Sequence, residues 1–307
     1  MEAAAPPVLV LLGATASGKT AVAVEVAKRL DGEVISADSR AFFQGLDIVT
    51  AKPTEAERQG IPHHLIDNVS FRESYDAMAF RRDVERLVPV IAARGAVPIL
   101  AGGGTLYLRA VLSGLFEGPS KDEEFRAKLE TVDPRVLHER LAAVDPEAAA
   151  SIHVNDRLRL TRALEVHRGT GRPISELQLQ AEPLPYDFVV IGLRRDREEH
   201  RTAIVRRTRE MIEAGLVAEI RALLDAGLTP DMQAYRTIGI PEVADHLSDE
   251  STLAEMEELI VRATWALARR QMAWFRREKD AAWVDLTGRS VSDVAERVHS
   301  LWKDATA

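Results

Sequence analysis

The chain has 307 residues, of which 46% are hydrophobic, 29% charged and 5% aromatic, and its formal charge at pH 7 is −8. This is the composition of a folded globular protein with one large domain or two moderate ones, so disordered and fibrous classes are excluded. The lack of cysteine excludes disulfides, iron–sulfur clusters and thiolate zinc sites, and the acidic balance argues against a non-specific nucleic-acid binder.

No part of the sequence predicts a membrane association. The longest apolar run, residues 8–12, is far shorter than the roughly 18 residues of a spanning helix. The first residues lack the basic region of a signal peptide and the arginine-rich pattern of a transit peptide. We therefore expect a cytoplasmic protein, and a monomer, because no long heptad or broad apolar stripe demands association.

Strands and helices alternate along the first hundred residues, which is typical of βαβ units and a parallel sheet. The predicted elements are a strand over residues 8–12, a helix over 21–30 closed by Gly32, a strand over 33–36, a helix over 76–94 kinked at Pro89, and a strand over 97–101.

The sequence pattern changes near Pro119, and no strand is predicted from there to about residue 181. A capping box at Ser120 and Asp-Pro pairs at residues 133 and 145 predict short helices instead. The later elements are a strand over residues 188–193, a long helix through 204–223 closed by Gly227, a helix from Thr252 to about Arg277, and a strand over 283–286. The prediction is an α/β core, residues 1–119 and 186–307, interrupted by an all-helical insert over residues 120–185.

The segment between the first strand and the first helix carries a complete phosphate-binding motif. It reads Gly13, Ala14, Thr15, Ala16, Ser17, Gly18, Lys19, Thr20. In such a P-loop the glycines let backbone N–H groups surround a phosphate chain, and the following helix adds positive potential. Lys19 supplies a mobile charge, and Thr20 offers a hydroxyl to Mg²⁺. We predict a P-loop NTPase-like fold with flanking helices that binds a di- or triphosphate.

The position of the acidic residue argues against a P-loop hydrolase. Such enzymes carry a magnesium-holding acid at the end of a second hydrophobic strand, whereas the strand over 97–101 runs into glycines 102–104. The acid instead follows the second strand, at Asp38, where ligands bind in open α/β sheets. This carboxylate is a candidate magnesium ligand or general base; a turn-capping role stays open.

Further motifs make the chain resemble the tRNA dimethylallyltransferases, also called tRNA isopentenyltransferases, from about Val8 to Leu286. The residues that carry the resemblance are Asp38-Ser39, the stretch from Gly45 to Pro53, Pro62-His63-His64-Leu65-Ile66-Asp67, residues 102–107, Asn155-Asp156, residues 159–165 and residues 270–276. The P-loop is shared with many families, whereas the segments at 47–53 and 62–67 are far more specific.

The resemblance implies a transferase that modifies tRNA. In that family the P-loop holds the diphosphate of dimethylallyl diphosphate, and the prenyl group goes to N6 of the adenosine 3′ of the anticodon, at position 37. The candidate residues suit this reaction. The adenine amine is a poor nucleophile, so its attack benefits from a general base. The departing diphosphate is stabilised by positive charge and Mg²⁺. The adenine must also leave its stack to react. Expected partners are therefore tRNA, dimethylallyl diphosphate and Mg²⁺, with Thr20 as a metal ligand.

The resemblance also implies roles for individual residues. Asp38, Lys19, Thr105 and Arg126 are expected to take part in catalysis. The expected tRNA contacts are Asp38, Ser39, Arg40, Ala41, Gly104, Arg126, Leu158, Arg159, Leu160, Thr161 and Arg162. Without the resemblance, Arg126 would be read as a surface partner of Asp122 or Glu130. The paired His63 and His64 lack a third metal ligand at useful spacing, which favours a structural or substrate-positioning role.

Several residues depart from the family pattern. Gly104 stands where the family has threonine, Ala41 where it has glutamine and Val49 where it has glycine. Phe43 replaces a tyrosine, and Ile240-Pro241 replaces the tyrosine after Gly239. Thr105 is one residue displaced from the expected hydroxyl. We interpret the chain as a divergent member of the family.

Two alternatives differ in chemistry. One is a small-molecule or nucleotide kinase on the same P-loop scaffold, for which ATP binding and consumption are the discriminating observations. The other is a catalytically impaired homologue that binds tRNA without turnover, motivated by the departures at residues 41, 49 and 104.

Overall fold

The computed structural model describes residues 5–307 and divides the chain into two compact units. The first unit extends to Val111 and resumes from Pro185 to Ala307, and the second spans Leu112–Leu184. The unit boundaries therefore lie at residues 112 and 184, where the sequence predicted 120 and 185.

A single six-stranded sheet forms the centre of the first unit. Its strands are β1 (Pro7–Gly13), β2 (Gly32–Ser36), β3 (His63–His64), β4 (Val97–Gly102), β5 (Asp187–Arg194) and β6 (Ala282–Asp285). They lie in the order β3-β2-β4-β1-β5-β6, and every pair is parallel. Because the strands run the same way, all their carboxyl ends meet at one edge of the sheet, which is where the P-loop follows β1.

Fourteen α-helices occupy the described part of the chain. They are α1 (Lys19–Leu30), α2 (Glu55–Arg58), α3 (Ala77–Ala93), α4 (Thr105–Leu112), α5 (Glu123–Glu130), α6 (Pro134–Val144), α7 (Pro146–Ser151), α8 (Arg157–Thr170), α9 (Ile174–Gln178), α10 (Arg197–Glu213), α11 (Leu216–Asp225), α12 (Ile240–Leu247), α13 (Leu253–Phe275) and α14 (Val291–Thr306). The mixed α/β class and the parallel sheet predicted from the sequence are confirmed.

The core explains why the sheet is stable. β1 is buried at every residue after Pro7, as expected for a central parallel strand covered on both faces. On one face, Leu9 and Leu11 pack with Val22 of α1 and with Val298 and Trp302 of α14 in a single apolar cluster. The second unit has its own core, which includes Leu137, Leu141, Leu160 and Val166.

Three predicted helix boundaries are wrong, each for a local reason. The long helix is two helices, α10 and α11, because the chain turns at Gly215 with a φ of 103°. Helix α1 ends in a left-handed residue at Asp31, not at Gly32, which already belongs to β2. The cap of α5 is the Asp122 side chain, which accepts from the Phe125 N–H, and not Ser120.

Other boundary signals are confirmed. Asp133 and Asp145 cap α6 and α7 with proline in the first turn, and Thr252 forms a capping box at the start of α13. Helix α3 continues through Pro89. Across residues 5–307, no helix is both long enough and apolar enough to span a bilayer.

Candidate active site

The P-loop and the start of α1 line a cavity of about 790 Å³. Residues Thr15 to Thr20 all contribute to its wall. Gly18 has a φ of 95° and stands at the cap position of α1, so the loop turns directly into the helix. The unpaired N–H groups of the first helical turn and the helix dipole make such a site attractive to phosphate.

Asp38 reaches the same cavity from the loop that follows β2, which is separated from β1 by β4 in the sheet. It lies two residues beyond β2, whose partner β4 fixes the preceding residue: the Ala37 N–H donates to the Ala101 carbonyl at 2.9 Å. The Oδ1 atom of Asp38 accepts from the Arg40 N–H at 2.9 Å. Asp38 therefore does cap the following turn, with one carboxylate oxygen, and it also lines the cavity.

Lys19, Asp38 and Arg207 form an electrostatic cluster in this cavity. Burial lowers the pKa of Lys19 to about 8, with the Asp38 carboxylate opposing this change and the Arg207 charge adding to it. Burial also lowers the pKa of Arg207, which Asp38 again opposes. Two desolvated cations beside one carboxylate are an arrangement that a polyanionic ligand would stabilise.

Sequence reasoning missed Arg207, which α10 brings into the site. One of its guanidinium nitrogens donates to the Thr50 carbonyl at 3.2 Å. Glu219 of α11 holds the loop that leads to Thr50, since its carboxylate accepts from the N–H groups of Asp47, Ile48 and Val49 at 2.7–3.0 Å. The segment over residues 47–53 thus positions Arg207 through the Thr50 carbonyl.

Arg40 and Tyr107 also interact electrostatically with Asp38. Arg40 donates to the Gln233 carbonyl at 2.7 Å, and burial lowers its pKa while Tyr107 and Asp38 oppose the change. Burial raises the pKa of Tyr107 to about 12, and its hydroxyl donates to the Tyr75 carbonyl at 2.8 Å. Of the predicted base-contacting stretch, Ala41 lines the cavity although it is almost fully buried.

The glycines after β4 permit close packing against the Asp38 strand. A Cβ at Gly104 would lie 2.7 Å from the Ala37 carbonyl oxygen, to which the Gly104 N–H donates at 2.9 Å. This backbone has no room for the threonine that the family places there. Thr105 opens α4 and is absent from the residues that line the cavity, so its predicted role gains no support from the geometry.

The donor groups around Thr20 fit a hard cation carried by its ligand. The hydroxyls of Thr20 and Ser36 and the carboxylate of Asp38 line the same cavity, and Mg²⁺ prefers oxygen ligands. Within the described part of the chain, no three His, Cys, Asp or Glu side chains group closely enough to hold a metal on their own. A magnesium ion here would therefore depend on phosphate oxygens for most of its coordination.

In the second unit, Arg126 pairs with a residue that sequence spacing did not indicate. Its guanidinium donates twice to Glu165, at 2.7 and 2.8 Å, and Arg162 donates to the same carboxylate at 2.5 Å. Burial favours the neutral acid, but these hydrogen bonds and the Asp122 N–H outweigh it and hold the pKa of Glu165 at about 2. The pairing fixes Arg126 within its own unit.

The predicted tRNA-contacting stretch at the start of α8 is only partly available. Leu158 and Arg159 are exposed, with Leu158 at 74%, and Thr161 and Arg162 are half-buried. Leu160 is fully buried in the core of the second unit. The Leu160 side chain faces the core of its own unit, so the geometry gives no support to a tRNA contact by this side chain.

A second cavity of about 560 Å³ is lined in part by Ala14 and Ser17 of the P-loop. Five arginines, one histidine and two tryptophans line it, and no acidic residue does: Arg194, Arg195, Arg197, Arg269, Arg276, His200, Trp265 and Trp283. Arg269 lies in α13 and Arg276 directly follows it, within residues 262–279, which hold six basic residues and one acidic residue. In a chain with a net charge of −8, this is a concentrated cationic surface.

The paired histidines occupy edge strand β3, and His63 also lines the main cavity. His64 is within 2.6 Å of Glu33, which Arg94 also contacts at 3.0 Å, and both histidines belong to edge strand β3. Burial lowers the pKa of His63, whose Nδ1 lies 2.9 Å from the Ile61 carbonyl. The preference for a structural or positioning role over a metal site agrees with these contacts.

The IPP transferase family model matches residues 41–278 of the chain. The tRNA dimethylallyltransferase 2 of Geotalea uraniireducens is 45% identical over 90% of this chain and 91% of that protein. Among solved structures, the tRNA isopentenylpyrophosphate transferase of Bacillus halodurans is 35% identical, with a TM-score of 0.73 and 98% of each chain covered. A eukaryotic dimethylallyltransferase captured acting on tRNA has a TM-score of 0.79 at 27% identity, covering 92% of this chain and 74% of that one.

Proposed function

The chain belongs to the IPP transferase family and is an enzyme that prenylates tRNA, and from its geometry we propose how it does so. The donor is dimethylallyl diphosphate, and the acceptor is N6 of the adenosine at position 37, 3′ of the anticodon. The observation that carries this proposal is the cavity in which the P-loop, Lys19, Arg207 and Asp38 converge.

Binding of the donor rests on the cationic side of the cavity. The diphosphate accepts hydrogen bonds from P-loop N–H groups and from Lys19 and Arg207. Both cations are desolvated in the free protein, so the ligand restores favourable interactions that burial removed. Mg²⁺, held by the diphosphate and Thr20, would neutralise further charge on the leaving group.

The transfer step uses both Asp38 and the two cations, Lys19 and Arg207. The adenine N6 attacks C1 of the allylic group, the new N–C bond forms, and the C–O bond to diphosphate breaks with its electron pair leaving on oxygen. The N6 proton passes to Asp38, which faces the cavity from β2. Lys19, Arg207 and the P-loop dipoles stabilise the charge that accumulates on the diphosphate.

Recognition of tRNA draws on the two basic surfaces. Five arginines line the second cavity, of which Arg194 pairs with Asp285 and Arg195 with Glu199. The other arginines are proposed to contact RNA phosphates, and the two tryptophans offer stacking faces. In the second unit, Leu158 and Arg159 are exposed on α8 for the same purpose. We propose a monomeric, cytoplasmic enzyme.

Transfer of a labelled prenyl group tests the proposal directly. Purified protein is incubated with labelled dimethylallyl diphosphate, Mg²⁺ and tRNA from a strain that lacks the modification, followed by digestion to nucleosides. Label in N6-dimethylallyladenosine, lost in Asp38→Ala, supports the proposal. Tight tRNA binding with no label identifies an impaired homologue, and ATP consumption without label identifies a kinase; either outcome overturns it.

A further inference from the structure

The backbone of Thr15, inside the P-loop, is held from both sides by buried side chains. Its N–H donates to Oε1 of Gln271 at 2.9 Å, and its carbonyl lies 2.8 Å from Nε2 of His200. Gln271 and His200 are 8% and 6% exposed and come from different helices, α13 and α10. Hydrogen bonds from two distant helices therefore hold the two consecutive peptide groups on either side of Thr15 in the phosphate-binding loop.

The held peptide precedes a strained residue. Ala16 has a φ of 59°, in the left-handed region that non-glycine residues adopt only at a cost. Such a conformation persists when its surroundings over-determine it. His200 holds the carbonyl of the peptide that joins Thr15 to Ala16, and Gln271 holds the peptide before it, so both side chains help to fix the turn at Ala16.

Gln271 also connects the P-loop to the loop after β4. Its Nε2 donates to the Gly103 carbonyl at 2.7 Å, so one buried amide accepts from one loop and donates to the other. A Cβ at Gly103 would lie 2.6 Å from that nitrogen, which accounts for glycine at this position. Neither glutamate nor methionine can replace both bonds, because an ionised carboxylate only accepts and methionine has no N–H donor.

We propose that Gln271 and His200 are positioning residues for the donor: they fix the Thr15–Ala16 turn so that the P-loop binds diphosphate without rearranging. This inference rests on the proposed function. Because the Thr15 N–H is already bonded to Gln271, the diphosphate is bound by the N–H groups that follow it in the loop. His200 acts as a neutral donor, since burial lowers its pKa.

Paired substitutions at both positions test the proposal. Gln271→Met removes both bonds, and Gln271→Glu keeps only the acceptor. His200→Phe removes the donor, whereas His200→Gln supplies an amide N–H in its place. His246→Gln is the matched control, because His246 also bonds a backbone carbonyl, that of Ser251 at 2.8 Å, and lines neither cavity.

The measurements are KM for dimethylallyl diphosphate, calorimetric affinity for inorganic diphosphate, tRNA affinity and melting temperature. Gln271→Met and His200→Phe should raise KM for the donor and weaken diphosphate binding about tenfold, as removal of a buried hydrogen bond predicts. His200→Gln should restore near wild-type values, and Gln271→Met should keep tRNA affinity within about twofold, because Gln271 does not line the second cavity. A role limited to stability would lower the melting temperature of all four variants without this separation.

Wild-type diphosphate affinity in His200→Phe and in any folded Gln271 variant overturns the proposal. If Gln271→Met does not fold, the comparison of His200→Phe with His200→Gln decides alone. Failure of the proposed function is distinguishable, because then the wild-type protein would transfer no labelled prenyl group to tRNA, whatever the diphosphate affinities of the variants.

Discussion

The Asp38 carboxylate interacts with the Lys19 ammonium in the main cavity and opposes the loss of its proton, which burial favours. A base and a cation for the leaving group thus share one desolvated space. The same carboxylate interacts with Arg207, so one negative group lies among two positive ones. In the proposed function, the adenine lies toward Asp38 and the diphosphate toward the P-loop.

Activity should fall as the pH rises through about 8. The pKa of Lys19 in the free protein is about 8 because burial lowers it, so above this pH the donor meets a neutral amine. The loss should appear in kcat/KM for dimethylallyl diphosphate more than in kcat, since bound diphosphate raises the pKa of Lys19 again. A pH profile measured at saturating tRNA checks this expectation.

The control for that profile is Lys19→Arg, whose guanidinium stays charged throughout. It should lower activity but remove the alkaline loss near pH 8. A wild-type profile that stays flat up to the ordinary lysine pKa of 10.5 would contradict the assignment.

Asp38→Asn should reduce kcat by about 10²–10⁴-fold, the usual contribution of a general base. Donor affinity should be kept or improved, because the substitution removes a negative charge beside the diphosphate site. Single-turnover transfer and binding of inorganic diphosphate separate the two effects. Asp31→Asn, at the exposed end of α1, is the control; equal losses in both variants would refute a specific role for Asp38.

Glu219→Gln should loosen the loop that places Arg207. The carboxylate accepts three backbone N–H groups, and an amide has a single acceptor oxygen, so we expect a loss of about 1–2 kcal/mol in stability. Because Thr50 holds Arg207, KM for the donor should also rise several-fold. Denaturant unfolding and donor kinetics test both effects, with the exposed Glu213→Gln as control. An unchanged KM would show that Arg207 does not depend on this loop.

Glu165→Gln should destabilise the second unit by about 3 kcal/mol, because it leaves Arg126 and Arg162 without their shared carboxylate. Because the pKa of Glu165 is lowered on folding, the ionised carboxylate stabilises the folded protein. This stabilisation is complete above about pH 4.5 and is lost as the pH falls toward about 2. Thermal unfolding across this window measures it. The exposed pair of Glu124 and Lys128 supplies the control Glu124→Gln, which should cost little.

Arg269→Ala and Arg276→Ala should weaken tRNA binding without changing diphosphate binding. Both arginines line the second cavity, away from the Lys19 cluster. If each arginine neutralises one RNA phosphate, its removal should reduce the slope of log affinity against log salt by about 1. Filter binding at several salt concentrations measures the slope, with Arg86→Ala, from a surface ion pair with Asp83, as control. Unchanged slopes would place the RNA elsewhere.

The sequence predicted the elements that local chemistry decides. The apolar run of β1, the glycines and lysine of the P-loop and the aspartate caps of α6 and α7 each act within a few residues, so their signals are readable. The break at Gly215 was missed because apolar periodicity continues across it into α11. Likewise, the burial of Leu160 depends on which side of α8 faces the core.

The residues that complete the site were missed because their partners are far away in the chain. Arg207 and Thr50 are separated by 157 positions, and Gln271 and Thr15 by 256. Gln271 did lie within one of the family-like segments, residues 270–276. The signal available in the sequence was that Gln271 is a polar side chain on the buried face of α13. Its partner, Thr15, can be identified only from the fold.

The central claim is that the P-loop binds the diphosphate of an allylic donor rather than the phosphates of a nucleotide. A crystal structure with Mg²⁺ and a non-transferable thio analogue of dimethylallyl diphosphate, supported by competition against ATP, measures this most directly. We predict the diphosphate on the P-loop N–H groups, Lys19 and Arg207, with the allylic carbon facing Asp38. ATP seated productively in the loop, with isoprenoid diphosphates unable to displace it, would contradict this claim.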